Sequence, residues 1–166
     1  ANKSIIAVSP YLIPPIPFMK ALKAARKRGV KITLISNSPQ VSDAKLIAAA
    51  YMNDRRKYLK RGIKVFEYNG EKMLHDKLFL VDDSIAIVGS YNFDNISYRM
   101  NSENIAKITD SVFGTSLKAH IHSRIMDCFE VKKVKDKNPY NDADLARNTK
   151  WNQILLRIFP FIRRFL

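Results

Sequence analysis

The sequence predicts an α/β fold: a mixed, largely parallel β-sheet flanked by helices. Three observations predict it. Short apolar runs rich in Ile and Val recur between stretches of helical spacing. The first two runs flank a helix-patterned segment closed by Gly29, a β-α-β unit that favours a parallel pair. Two later runs, residues 77–81 and 85–88, are joined by Asp82-Asp83-Ser84, which reads as a hairpin turn.

In chain order, residues 4–9 (SIIAVS) read as a buried strand. Residues 10–17 read as a loop, because prolines restrict the backbone and remove donors. Residues 18–28 form a helix with Phe18, Leu22 and Ala25 on one face and Lys20, Lys23 and Lys27 elsewhere. Residues 30–35 form the next strand, and the polar loop 36–40 follows at an end where α/β sheets often build sites. Ser42 or Asp43 is placed to cap a helix running to Arg61. Ile47, Tyr51 and Tyr58 share its inner face. Arg55, Arg56, Lys57, Lys60 and Arg61 load its last turns, and they read as a solvated surface that complements the helix dipole. A phosphate-binding patch is the alternative. Gly62 stops that helix, residues 63–68 form a strand, and residues 69–72 turn into the hairpin.

Past the hairpin, a strand is expected at residues 104–108. Phe113, Leu117, Ile121, Ile125 and Cys128 then mark a helix, with Cys128 in the core. His120 and His122 on it read as surface or packing residues. Residues 131–150 are polar and read as a linker or irregular extension. In the tail, residues 151–166, Trp151, Ile154, Leu155, Ile158, Ile162 and Phe165 follow helical spacing, with Lys150, Arg157 and Arg164 on another side and Pro160 as a kink. Apolar and aromatic residues beside arginines suit an interfacial helix. The other reading is that the tail packs on the domain or on further chain.

The 166 residues suffice for one domain with a real core, and 46% hydrophobic content excludes a disordered chain. The net charge of +14 favours anionic partners, either nucleic acid or an acidic membrane surface. One cysteine excludes an internal disulfide, and the three histidines form no metal-ligand cluster with it. No run of roughly 18 apolar residues occurs, so no transmembrane helix is expected, nor is a signal peptide. The chain begins at Ala1 and runs almost at once into a strand, as a piece of a longer protein would.

The chemistry concentrates in residues 74–92, LHDKLFLVDDSIAIVGSYN. Side chains alternate along a strand, so His75 and Lys77 point to the same side. Ser90 and Asn92 match each other likewise if the chain stays extended. An imidazole, an ammonium, a hydroxyl and an amide can therefore converge at the mouth of a sheet. That set suits a phosphodiester. Lys77 can neutralise a phosphate oxygen, while Ser90 and Asn92 can donate to the others. Histidine, with an ordinary pKa near 6.5, can act as nucleophile or proton donor around neutral pH. Asp82 has the opposite parity from Lys77 and reads as a residue that orients or balances neighbours.

His75-x-Lys77, Asp82 and Gly89-Ser90-x-Asn92 match H-x-K-x4-D-x6-G-S-x-N at every specified position. The chain thereby resembles the phospholipase D superfamily, whose signature is this HKD motif. Within it the chain looks most like the C-terminal half of a bacterial cardiolipin synthase of the C type. SPYLIP, GVKITLISNS, AAAYMNDRRKYLKRGIKVFEY and DNISYRMNSE carry that likeness. The resemblance implies a catalytic half-domain over residues 1–130, one phospholipase D-like half. It implies phosphatidyl transfer or hydrolysis through a phosphohistidine, without a metal ion or other cofactor. His75, Lys77, Ser90, Asn92, Asp82 and Glu103 would be its catalytic residues. Glu103 stands where the superfamily places a carboxylate bonded to the catalytic histidine. Two HKD halves form one site in the family, so a second half is implied, from an upstream domain or a homodimer. With the first-half histidine attacking, His75 would be the general acid. The implied partners are anionic phospholipid and a membrane surface, peripheral to the bacterial inner membrane. The alternative is a metal-independent endonuclease, since short single-motif members cleave nucleic acid as homodimers. A non-enzymatic binding module is a third reading, against which the intact motif speaks.

Overall fold

The protein is described from a computed structural model that places residues 1–133, 143–158 and 160–166. Its centre is a seven-stranded sheet in the order β6-β5-β4-β1-β2-β3-β7. The strands are β1 (Ser4–Val8), β2 (Lys31–Asn37), β3 (Lys64–Tyr68), β4 (Leu78–Val81), β5 (Ile85–Gly89), β6 (Ile105–Thr109) and β7 (Cys128–Val131). Only β1–β2 and β2–β3 pair in parallel. The pairs β1–β4, β3–β7, β4–β5 and β5–β6 are antiparallel. The sheet is thus mixed and helix-flanked as expected, but its parallel part is confined to the β-α-β segment. Of the later strands, β5 follows β4 through a tight turn, whereas β7 comes after a full helix, Ser111–Ile125, and returns antiparallel to β3 at the far edge of the sheet.

Both faces of the central strands are buried, for a reason visible in their alternation. Ile5, Ala7, Ile32, Leu34 and Val65 face α1 (Ile16–Lys27) and α2 (Lys45–Lys60), where Leu22, Ala25, Tyr51 and Tyr58 meet them. Val8, Ile35, Leu80 and Ala86 face the opposite way, onto Leu117 and Ile121 of α4 (Ser111–Ile125). The short helix α3 (Asn95–Arg99) is capped by Asp94, whose side chain accepts from Ser97 N.

Several local expectations change. Helix α1 begins at Ile16, inside the proline-rich stretch, with Pro15 at its N-cap, because the first turn needs no N–H donors from its prolines. Neither Ser42 nor Asp43 caps α2. Its N-cap is Ala44, Ser42 is buried, and the Asp43 carboxylate is taken by the Tyr11 hydroxyl at 2.9 Å. Arg55 is not solvated. It is 6% exposed, and its guanidinium lies 2.8 Å from Glu67, which is fully buried. The Tyr51 hydroxyl donates to the same carboxylate. Arg55 falls on the inner face with Tyr51 and Tyr58, at a spacing of four and three residues, and Glu67 on β3 draws it inward. Cys128 sits half-buried in β7 and not in a helix, and burial pushes its thiol up to about 12.

Residues 131–150, expected as an irregular extension, hold the end of β7 and the start of α5 (Ala143–Ile158); residues 134–142 lie outside those described. Helix α5 thus runs straight through position 150. A 3-10 helix, Pro160–Phe165, follows the expected break at Pro160.

Candidate active site

The hairpin β4–β5 positions the motif. Its turn places Asp82 and Asp83 in the left-handed region, at φ 53° and 59°, and Ser84 N donates to Val81 O. Aspartate tolerates that region better than most residues, and such turns match strand twist. Register then sets Leu78 opposite Val88. The residues before β4 and after β5, His75–Lys77 and Ser90–Asn92, consequently come together at one end of the sheet.

At that end, Lys77 Nζ lies 3.1 Å from His75 Nδ1 and 2.9 Å from His75 O. A charged ammonium can donate to Nδ1 only when that nitrogen is unprotonated. Lys77 is half-buried, and burial lowers its pKa, against the raising effect of Glu103 and Asp76. Asp76, between the two, points the opposite way, onto α4, where its Oδ2 is 3.3 Å from His120 and 3.4 Å from Arg124. The alternation read from the sequence therefore holds, and His120 is a packing partner on the far side.

Glu103 joins this end from beyond α3, but not through the bond that the resemblance implies. Its oxygens accept from the hydroxyl of Ser90, from Ser97 Oγ at 2.8 Å and from Asn101 Nδ2 at 3.2 Å, and none of its bonds goes to His75. These donors hold its pKa down, Ser90 foremost. Ser90 correspondingly differs from its expected role as a phosphate donor. Its proton goes to Glu103, and its oxygen accepts from Asn104 N at 3.0 Å. Gly89 is required beside it, since a Cβ there would lie 2.1 Å from Asn104 O. Asn92 is half-buried, its backbone N–H donates to Ser97 Oγ at 3.2 Å, and its Oδ1 has no hydrogen-bond partner among the described residues. Asp82 lies at the other end of β4. Its carboxylate accepts from the backbone N–H groups of Asn2, Lys3 and Ser4 at 2.8, 2.8 and 2.9 Å, which pulls its pKa down to about 2. It pins the start of β1 and does not reach the site.

Two supports escaped sequence reading. Asn37, 3% exposed at the end of β2, donates to Leu74 O at 2.9 Å and accepts from Leu74 N at 2.8 Å, one residue before His75. Ser9, fully buried, accepts from Phe93 N at 3.1 Å, and Ile13 N donates to Phe93 O at 2.7 Å, one residue after Asn92. The strand-end position of Asn37 was the available signal. Beside Lys77 opens an apolar groove of about 190 Å³, lined among others by Phe18, Phe79, Ile87, Tyr91, Phe93 and Ile105.

The fold and this cluster are those of a phospholipase D-like domain. Residues 1–125 match the family model described as Cardiolipin synthase, PLD-like domain, and the chain belongs to that family. It is 33% identical to cardiolipin synthase B of Escherichia coli K12 over 99% of this chain and 38% of that protein. It is 29% identical to cardiolipin synthase A of Buchnera aphidicola, strain APS, over 100% of this chain and 32% of that protein. The chain thus spans about a third of the length of the curated relatives it matches. Among solved structures it is similar to Nuc of Salmonella typhimurium, a phospholipase D family member. That match has TM-score 0.69 and 26% identity, covering 80% of this chain and 84% of Nuc. Phosphatidylserine synthase of Haemophilus influenzae Rd KW20 shares the fold, at TM-score 0.76 and 16% identity, over 99% of this chain and 42% of that one.

Proposed function

We propose that this chain supplies one HKD half of a phosphodiester-transfer site that acts on phospholipids at a membrane surface. The observation that carries the lipid reading is the groove at Lys77. A phosphate held by that ammonium would have an apolar trough beside it for the glycerol and acyl part of a lipid. The cardiolipin synthases among its relatives agree with that reading.

The chemistry follows from the groups present plus a second copy of them. An imidazole nitrogen of the other half attacks phosphorus, a P–N bond forms and the P–O bond to the leaving group breaks. Protonated His75 gives its proton to the departing oxygen. An acceptor hydroxyl then returns its proton to His75 and attacks phosphorus, and the P–N bond breaks. A lipid acceptor gives transfer; water gives hydrolysis. Lys77 and Asn92 stabilise the equatorial oxygens. Phosphate arriving at Lys77 draws the ammonium off Nδ1 and frees that nitrogen to take up the proton of the general acid. Glu103 acts here by fixing Ser90 and the end of β5.

Residues 1–130 are proposed as the catalytic part, with the tail as membrane-facing. Trp151, Ile154, Leu155 and Ile158 form a stripe on α5 and are all exposed, as are Phe161 and Phe165. Among the described residues no helix is long and apolar enough to cross a membrane. The second reading, an endonuclease of two identical chains, is favoured by the charge of +14 and by the 84% coverage of Nuc.

The test is stoichiometric. The chain is sized by light scattering and assayed at the same concentrations on labelled phosphatidylglycerol and on single-stranded DNA. Turnover of the lipid only by dimer, or only after the upstream half is added, is expected. Sustained turnover by a clean monomer refutes the half-site; turnover of DNA alone refutes the lipid reading.

A further inference from the structure

A second cavity lies apart from the catalytic cluster and shares no lining residue with it. It is a cleft of about 870 Å³ between α1, α2 and α3. Its walls carry Lys20 and Lys23 from α1, Lys57 and Arg61 from the end of α2, and Arg99 from α3. Asp54 is its single acid among the described residues, and that carboxylate lies 2.7 Å from Lys57. Lys20, Lys23, Arg61 and Arg99 have no ion-pair partner among the described residues; the Arg61 guanidinium donates to Lys57 O at 2.8 Å, and Arg99 lies 5.9 Å from the Tyr98 ring centroid. Four cations therefore face one cavity without a neutralising acid, an arrangement that repels itself unless an anion enters.

The rest of the lining says which anion. Ile13, Pro14, Ile16 and Met19 complete the cleft, and Ile16 is 73% exposed. Among the described residues no aromatic ring lines it, whereas single-stranded nucleic acid sites rely on rings for stacking. Ile13 also belongs to the cluster in which Leu156 and Leu166 of the tail are buried. Leu166 O accepts from Asn95 N at 3.1 Å, so the tail ends at the rim of the cleft. The cleft thus adjoins the buried contact of the tail with the domain, and the same tail carries the exposed apolar residues Trp151 and Ile158.

We infer that the cleft between α1, α2 and α3 is a binding site for the phosphate headgroup of an anionic phospholipid, separate from the catalytic phosphate site. The inference rests on the phospholipid reading of the chain. The headgroup phosphate sits among Lys20, Lys23, Arg61 and Arg99, and the aliphatic floor takes the glycerol backbone. The cleft then holds the protein on anionic membrane while the HKD end works on another lipid.

The test compares the triple variant Lys20→Ser, Lys23→Ser, Arg99→Ser with a control of equal charge, Lys27→Ser, Lys31→Ser, Lys64→Ser. Both are checked for folding by circular dichroism. Binding is measured to vesicles of phosphatidylglycerol in phosphatidylcholine, to soluble dihexanoyl phosphatidylglycerol, and to inorganic phosphate. The cleft variant should lose vesicle binding by roughly fivefold per charge and lose saturable binding of the short-chain lipid; the control should keep the latter. Equal losses in both variants overturn the site in favour of diffuse charge. Phosphate binding as tightly as the short-chain lipid overturns the lipid assignment and leaves a free-anion site. Wild type that turns over DNA and not phosphatidylglycerol fails the phospholipid reading, a result separate from either loss pattern.

Discussion

The Asn37 side chain satisfies both backbone groups of Leu74, donating to its carbonyl at 2.9 Å and accepting from its N–H at 2.8 Å. A buried amide thus takes the place of a sheet ladder where β2 ends, and it fixes the chain one residue before His75. Asn37→Ala leaves a buried N–H and C=O of Leu74 unpaired, at about 2–4 kcal/mol of stability. In the catalytically competent assembly kcat should fall by roughly 10²-fold, because displacing a reacting group by an ångström has that effect, with KM little changed. Loss of stability with kcat intact would show that Asn37 only holds the fold.

His75→Ala should abolish phosphodiester turnover with the fold retained, as His75 is the histidine of the hairpin motif. Lys77→Ala and Asn92→Ala should each lower the rate by roughly 10²–10³-fold, the scale for removing one donor to transition-state charge. EDTA should leave the rate unchanged. Comparable activity in wild type and His75→Ala, at matched circular dichroism, would remove His75 from the mechanism.

The bond set at Asp82 makes an acid-stability prediction. Its pKa is lowered from 3.8 to about 2, chiefly by the N–H of Ser4. A depressed carboxylate favours the folded state above its unfolded pKa, and the stability is lost as pH falls through the folded value. Wild type should therefore lose stability between pH 3.8 and about 2. Asp82→Asn should be less stable by about 1 kcal/mol at neutral pH, after discounting for solvent exposure, and should lose less on acidification. Identical acid profiles in urea titrations would dissociate Asp82 from the β1 start.

The tail has two faces with different consequences. Leu156 is 2% exposed against Ala49 and Ala50 of α2, whereas Trp151 is 67% exposed. Leu156→Ala should destabilise the protein by about 2–4 kcal/mol. Trp151→Ser with Ile158→Ser should leave the melting temperature unchanged and weaken co-sedimentation with anionic liposomes. Unweakened co-sedimentation would mean that the stripe does not meet the bilayer.

Local chemistry in the sequence determined much of this protein. Strand periodicity places His75 and Lys77 on one side and Asp76 on the other, and the Asp82-Asp83 turn sets the hairpin that unites them with Ser90 and Asn92. Those relations span few residues and depend on alternation alone. Sheet order decided the rest. Glu103 meets Ser90, and not His75, because β6 pairs with β5. Asn37 reaches Leu74 across 37 residues because β2 ends beside the approach to β4. Arg55 looked like one more cation in a solvated run until Glu67 on β3 supplied a buried counter-charge. The tail's spacing suggested one apolar face, yet Leu156 and Leu166, both off that face, are the tail residues buried against Ile13, Ala49 and Ala50, and of the expected face Ile162 packs beside them. Helical spacing fixes which residues share a face, while the shape of the surface beneath selects the face that is buried.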